Sequence, residues 1–441
     1  PAILTEGETR IVFGNLKRFR RSFRVARTGA RIYFGYKRTQ RRVRKLPEAD
    51  RAAEWEKRHE KAAEQLYRLA IGLRGMYIKS GQFIGTRSDL VPAPYVKWLS
   101  GLQDRVPPHP LAVVRKTIEK DFGRPLGELF ATFDDEPIAA ASLAQVHRAT
   151  LPGGREVAVK VQYPEVDGLV RLDIRNLRTI VRLVARFEPN FDYRAIVDEI
   201  GTQVPLELDF EREGRLTTQV GKNLAAFSQI QVPEVVAGYV SRRVLVTEYV
   251  HGARLLDTAR REEYTRDPVA LAQTIADAYG HQIMVDGLFQ ADPHPGNILV
   301  LPGGDVCLLD FGLTKELPDS ARLGFARLVL AVANRNTDDI STAFRELGVR
   351  TSSDDPESLL TLMQVFFDAR PVGEGAAGRN LRDNRAALQG TRLEAIPGDL
   401  VLLGRVVGLL RGVCASLGTP LSPMQMLRPH AERALREAPA A

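Results

Sequence analysis

Four short segments, met in a fixed order, constrain this chain more than any bulk property. Asp310-Phe311-Gly312 follows the apolar run Val306-Cys307-Leu308-Leu309, so its carboxylate emerges at a strand end. A carboxylate there can hold Mg²⁺ against nucleotide phosphates. Upstream, Asp292-Pro-His-Pro-Gly-Asn297 sets an acid and an amide five positions apart. That spacing suits an Asp that orients or deprotonates a nucleophile and an Asn that holds a second metal ion. Further upstream, Val157-Ala-Val-Lys160 presents a lysine from a strand, in reach of α- and β-phosphates. Before it, Ala139, Ala140, Ala141, Ser142, Leu143, Ala144, Gln145 and Val146 occupy the G-x-G-x-x-G-x-V register, with every glycine replaced by alanine.

Any one of these segments has a plain structural explanation: a turn Asp, a solvated Lys, a helix cap. Together, in this order and spacing, they match the phosphate-handling parts of a protein kinase. Alanine denies the loop the room and the φ > 0 freedom of glycine, so phosphates are expected to sit differently from those in an ordinary kinase. Ser142 can also contact a phosphate. The predicted helix over 193–226 should supply the acid that pairs with Lys160, from Glu207, Asp209 and Glu213. Glu213 is favoured, because Glu207 lies about 120° away around a helix and serves another partner. Pro205 is expected to kink that helix or mark its start. The run Val244 to Val250 reads as a buried strand leading into a lobe-linking hinge, with backbone near Glu248 and Val250 available to adenine.

The elements fit an α+β class. Strands are expected over Ile138–Thr150, Glu156–Gln162 and Val232–Val250. Helices are expected over Ala52–Gln82, 111–131 and 165–188, and through most of the chain after Pro268. Residues 370–392 read as a mobile loop. Parts of a protein kinase are missing, however. Gln290-Ala291-Asp292 stands where H-R-D would, and no A-P-E or long activation loop follows Gly312. Machinery for phosphates is present, whereas a peptide-docking platform is not evident.

Charge is distributed unevenly. The 441 residues include 62 Lys+Arg and 54 Asp+Glu, a net charge of +8. From Thr9 to Leu46 there are 14 basic residues and no acid, which leaves 48 basic against 54 acidic side chains elsewhere, a balance of −6. Within this basic arm Val12, Leu16, Phe19, Phe23, Ala26, Ala30 and Tyr33 recur at helical spacing. Such a helix suits an anionic membrane surface, its own domain, or a nucleic acid; the sequence favours the membrane. Two cysteines, Cys307 and Cys414, make neither a disulfide framework nor a zinc pattern, which points to a reducing compartment. No transmembrane helix or signal peptide is expected, so the predicted location is cytoplasmic and peripheral to a membrane.

Lys79-Ser80-Gly81-Gln82 completes the set. Read by itself, it is a helix C-terminus capped by Gly81. With this K-x-G-Q segment, the alanine-rich loop, Glu207-x-Asp209, Ala291-Asp-Pro-His-Pro-Gly-Asn297 and Asp310-Phe-Gly312, the chain resembles the UbiB family of atypical, protein-kinase-like ATPases. The resemblance implies a bilobal kinase-like fold with a helical N-terminal extension over the active site. It also implies that Lys79 and Gln82 point into that site, Lys79 meeting Glu207 and Gln82 lying near Asp209. The implied divisions are a basic arm at 1–46, the extension at 47–136, a small lobe at 137–250 and a large lobe at 251–441. The implied function is Mg²⁺-dependent ATP hydrolysis or phosphoryl transfer at a membrane surface, linked to isoprenoid-quinone metabolism and its pathway proteins. A small-molecule phosphotransferase and a nucleotide-binding regulatory module are the alternatives.

Overall fold

The computed structural model describes residues 6–86, 91–99, 102, 108–187, 194–265, 267–334, 336–351, 393–395, 397–419 and 422–438. The loop expected at 370–392 lies outside them. The backbone packs as two compact units, Pro1–Phe210 with Tyr239–Val246, and Glu211–Gly238 with Thr247–Ala441.

The first unit opens with helices α1 (Glu6–Val43), α2 (Glu48–Leu73), α3 (Met76–Thr86), α4 (Ala93–Leu99), α5 (Leu111–Phe122) and α6 (Leu126–Leu129). The helix expected over 52–82 is broken, because Arg74 and Gly75 both take φ near +57°, which ends α2 and restarts the chain as α3. Arg74 is costly there, since its Cβ crowds the following carbonyl. Gly81 therefore lies inside α3 and caps nothing. Its lack of a side chain admits Leu102: a Cβ on Gly81 would meet Leu102 Cδ1 at 2.3 Å.

Strands follow: β1 (Thr132–Phe133), β2 (Ala139–Ala140), β3 (Ala144–Thr150) and β4 (Glu156–Gln162). The strand expected from Ile138 to Thr150 is interrupted at 141–143, where the Ala141 amide donates to the Ala144 carbonyl at 2.8 Å and closes a tight turn. In β4 the period of two buries Val157, Val159 and Val161 and leaves Lys160 on the other face. Helices α7 (Val166–Phe187) and α8 (Arg194–Leu206) complete the run. The helix predicted over 193–226 is in fact two. Pro205 sits in the last turn of α8, Glu207 to Asp209 form a turn, and α9 (Phe210–Asn223) begins anew. Pro205 thus marks an end rather than a start, and a helical-wheel relation between Glu207 and Glu213 does not apply.

The expected boundary at 136/137 is not a division of this packing. Met76 of the extension shares one core with Leu143, Tyr163, Val170, Ile174, Ile200, Val204 and Leu208. Burying their apolar surface together fuses extension and strands into one body.

Strands β5 (Ile230–Gln231), β6 (Val235–Val240) and β7 (Val244–Glu248) come next, the last two passing through residues 239–246 of the first unit. One sheet runs β1-β3-β4-β7-β6, with β2 paired to β3. The second unit contains β8 (Ala253–Arg254), α10 (Thr258–Tyr264), α11 (Pro268–Gly280), a π-turn at His281–Asp286, β9 (Leu288–Gln290), β10 (Ile298–Val300), β11 (Val306–Leu308) and β12 (Thr314–Glu316). After these come α12 (Asp319–Ala333), α13 (Thr337–Glu346), the pair β13 (Arg350–Thr351) and β14 (Leu393–Ala395), α14 (Gly398–Ser416) and α15 (Pro423–Glu437). Tyr279, Phe289, Phe311 and Phe325 fill its core, with Val406, Val407 and Leu410 of α14 among them. Strand β9 pairs with β12, Gln290 opposite Thr314, and β10 pairs antiparallel with β11. These two pairings bring the Asp292–Asn297 and Asp310–Gly312 segments side by side. Both cysteines are free and buried.

Candidate active site

In the second unit the segment after β9 folds into a compact turn around the Asp292 carbonyl. That oxygen accepts from the His294 amide at 2.7 Å and from the Asn297 side-chain nitrogen at 3.2 Å. That bond orients the Asn297 side chain, whose Oδ1 is the atom able to ligate a cation. The Asp292 carboxylate pairs with Arg405 Nη2 at 3.0 Å.

Asp310 takes φ of +61°, a conformation that costs a non-glycine residue on the order of 1–3 kcal/mol and persists only where neighbours impose it. Gln290 imposes it. This side chain is fully buried and donates from Nε2 to the carbonyls of Leu309 at 2.5 Å and Asp310 at 2.6 Å. Its own oxygen accepts from the Tyr279 hydroxyl, and the Gln290 backbone amide donates to Gln282 Oε1 at 3.1 Å. Burial, with the Asp292 charge added, pushes the Tyr279 hydroxyl well above its usual pKa, so it remains a donor. Gln290, where H-R-D would place a histidine, is thus fully hydrogen-bonded.

Gly312 passes between two carboxylates. A Cβ there would lie 3.3 Å from Asp310 Oδ1 and 3.5 Å from Glu213 Oε2. Glu213 itself is 3% exposed. Arg212, beside it on α9, donates to the carbonyls of Gly312 at 3.1 Å and Thr314 at 2.9 Å, fixing the chain after Asp310. Asp310 and Asn297 offer hard oxygen donors of the kind Mg²⁺ takes. No cluster of three His, Cys, Asp or Glu able to hold a metal occurs among the described residues. A cation here would complete its shell with phosphate oxygens and water, as Mg²⁺ does in nucleotide sites. The donor set fits. Glu248 closes β7, its amide donating to the Glu234 carbonyl at 2.8 Å, and Val250 follows in the connecting segment.

In the first unit Lys160 faces Val146 across β3–β4, and Val146 in turn faces Ala139 across β2–β3. The Lys160 ammonium lies 5.1 Å from the Phe210 ring centroid, a favourable cation–π distance. No residue of the alanine-rich loop has positive φ, since Arg74 and Asp310 are the non-glycine residues that do among those described. Alanine is tolerated because this turn needs no left-handed residue. Tyr163 holds the turn, its hydroxyl donating to the Ala141 carbonyl at 3.0 Å; burial raises that hydroxyl to about 12. The Ser142 hydroxyl is buried and has no hydrogen-bond partner among the described residues.

Lys79 of α3 pairs with Glu207 at 3.1 Å, both largely buried, as the resemblance implied. Gln82 donates from Nε2 to the Leu102 carbonyl at 3.0 Å. Asp209 stands in the same turn as Glu207, held by a bond from the Gln162 amide to the Leu208 carbonyl at 3.0 Å.

Arg405, Arg212 and Tyr279, which contact the site, lie outside the sequence motifs. Arg405 carried a signal: it is a cation within the otherwise apolar run Leu400–Leu410. The other two had none that composition or spacing could show.

A family model described as an ABC1 atypical kinase-like domain matches residues 101–344. The AarF domain-containing protein kinase 1 of Xenopus tropicalis is 33% identical over 381 residues, covering 84% of this chain and 73% of that relative. The AarF domain-containing kinase 1 of Drosophila melanogaster is 37% identical over 387 residues, covering 83% and 73%. Among solved structures, the Rv3197–erythromycin complex from Mycobacterium tuberculosis superposes with a TM-score of 0.56 at 25% identity, covering 88% of this chain and 98% of that one. A kinase-like domain matched over more than half of the chain, together with relatives matched over most of their length, makes this chain a member of the UbiB family of ABC1 atypical kinase-like proteins.

Proposed function

We propose that the chain is an Mg²⁺-dependent ATP-hydrolysing atypical kinase that works at a membrane surface. The observation that carries this reading is the fixing of Asp310 in its left-handed conformation by the buried Gln290 amide, beside the turn that presents Asp292 and Asn297. Asn297 and Asp310 would hold the metal, which when bound neutralises charge on the phosphates. Asp292 orients the attacking oxygen and accepts its proton. Lys160 grips the α- and β-phosphates, and the alanine-rich loop from Ala139 to Val146 lies along them. Glu213 keeps the acidic environment near Asp310, and the backbone around Glu248 and Val250 meets adenine. Lys79, Gln82, Glu207 and Asp209 shape the acceptor side.

Support for phosphoryl chemistry comes from the kinase-like family and from these donor sets. The membrane role draws on the basic arm, since no helix among the described residues is long and apolar enough to cross a membrane. The connection to isoprenoid-quinone or other lipid metabolism rests on the family resemblance. ATP hydrolysis measured with and without Mg²⁺ tests the reading. Asp310→Asn should lose turnover at least about a hundredfold, given the size of effects from removing transition-state charge stabilisation. Undiminished turnover in that variant, or none in the parent protein with or without liposomes, would sink it.

A further inference from the structure

Helix α1 carries three rows of different chemistry, each one residue further on and so about 100° around the helix. The first row is docked. Arg21 makes a bidentate pair with the fully buried Asp173 and donates to the Leu73 carbonyl at 2.6 Å. Ser22 Oγ accepts from Asn176 at 3.0 Å. Val25 is 2% exposed, a Cβ on Gly29 would touch Ile180 at 3.6 Å, and the Tyr36 hydroxyl bonds His59 and Tyr95. Thr39 and Val43 are also buried. The second row holds Leu16, Phe19 and Phe23, with Ala26 and Ala30 between them and Phe34, eleven positions after Phe23, on nearly the same bearing. From Leu16 to Ala30 this is the stripe read from the sequence as the helix's apolar face; Phe34 extends it where Tyr33 was expected to. It is not the docked one: Phe19 is 68% exposed, Phe23 56% and Phe34 67%. The third row is Arg20, Arg24, Arg27, Arg31 and Arg38, all exposed.

The single apolar stripe of the sequence thus hid two faces. One binds α1 to its own unit through a buried ion pair and small residues. The other leaves three phenylalanine rings in water beside a line of guanidiniums. We infer that this outward face is a fixed docking surface for an anionic lipid bilayer. The inference rests on the membrane-surface reading above and names the face and the chemistry that would carry it. Rings on one side and arginines on the adjoining side match the two layers of a bilayer interface, acyl boundary and phosphate. A nucleic acid would engage the arginines and leave the rings in water. An acid-free run from Thr9 to Leu46 adds attraction to negative headgroups. Next to the third row Arg20 and Arg24, with the docked Arg21, Leu73, Glu165 and Leu169, line a cavity of 330 Å³, room for a lipid phosphate against the guanidiniums of Arg20 and Arg24. Because α1 is docked from Arg21 to Val43, the bilayer would hold the first unit rigidly rather than on a loose tether.

The test is co-sedimentation of the full chain with vesicles of phosphatidylcholine alone or with phosphatidylglycerol added, alongside a short DNA duplex as competitor. Phe19→Gln/Phe23→Gln and Arg27→Glu/Arg31→Glu alter exposed positions, so circular dichroism should stay unchanged. The parent should bind phosphatidylglycerol vesicles, weakly in high salt, and each double variant should lose about tenfold or more in partitioning. Parent binding that both variants retain would overturn the assignment of this face and leave the membrane reading standing. A parent that ignores anionic vesicles, or prefers the duplex, would overturn both.

Discussion

Arg405 and Asp292, 113 positions apart in sequence, form an ion pair at 3.0 Å, with side chains 18% and 25% exposed. The segment from Asp292 to Asn297 contains no Lys or Arg, so the cation beside its acid comes from α14. Arg405 Nε is buried and has no partner among the described residues, so the observed role of the guanidinium is its Nη2 bond to Asp292. Arg405→Gln should lower kcat for ATP hydrolysis about 10–100-fold, the worth of a charge-assisted hydrogen bond, with KM for ATP nearly unchanged. Arg405→Lys should recover only part, because an ammonium cannot reproduce the planar fork. An equal loss in KM would mean that Arg405 binds nucleotide rather than orienting Asp292.

Gln290 satisfies four polar groups at once in a fully buried position. Gln290→Ala leaves the Tyr279 hydroxyl and the Leu309 and Asp310 carbonyls without that partner in a dry interior. A cost of about 2–4 kcal/mol in urea unfolding is expected, from roughly 1–3 kcal/mol per unsatisfied buried group with partial relaxation. Weaker Mg-ATP affinity should accompany it, because Asp310 loses what holds its conformation. Gln290→Ala/Tyr279→Phe should be less destabilised than additivity predicts, since the second change removes an orphaned donor.

Much of the site was legible because its chemistry is local in sequence. Asp292 and Asn297 close one turn, and Asp310 follows one strand, so residue type and spacing carried the information. The break at Arg74–Gly75 was not legible, because an arginine at φ near +57° contradicts its own preference and is imposed by packing. The end of α8 at Leu206 was hidden in the same way: Pro205 could open, kink or close a helix, and the turn is held by bonds from distant residues, from the Gln162 side chain to the Leu208 carbonyl and from the Phe210 amide to the Arg242 carbonyl. Helix α1 shows the limit of periodicity. Its docked row relies on Arg21, Ser22 and Gly29, residues that no hydrophobicity pattern selects, and its apolar row points outward.

Lys79 and Glu207 join the K-x-G-Q helix to the turn after α8. Both side chains are mostly buried, so removing the ammonium strands negative charge in a poorly solvated place. Lys79→Met should cost about 1–3 kcal/mol of stability, and Lys79→Met/Glu207→Gln should recover part of it. A double-mutant cycle in chemical denaturation should return a coupling of about 1–2 kcal/mol. Zero coupling would show that the two side chains act separately.

Asp121, at the end of α5, is clamped by Arg243 and Ser241 from the turn between β6 and β7. Arg243 Nε donates to its Oδ1 at 3.0 Å, and the Ser241 hydroxyl donates at 2.8 Å. Burial by itself would raise the carboxyl pKa, but the bonds from Arg243 and Ser241 outweigh it and hold the group below its ordinary value. The folded state therefore favours the ionised form. Its contribution is complete above the unfolded carboxylate pKa of about 4 and is lost as pH falls through the lower folded value. Asp121→Asn should destabilise the first unit by about 1–3 kcal/mol at pH 7, in line with a charged hydrogen bond to a partly buried partner. The gap between parent and variant should narrow as pH falls below about 4, because the parent's carboxyl becomes protonated as well. Urea midpoints measured between pH 7 and pH 3 check the sign. A gap that widens toward acid would mean that Asp121 is not held ionised by Arg243.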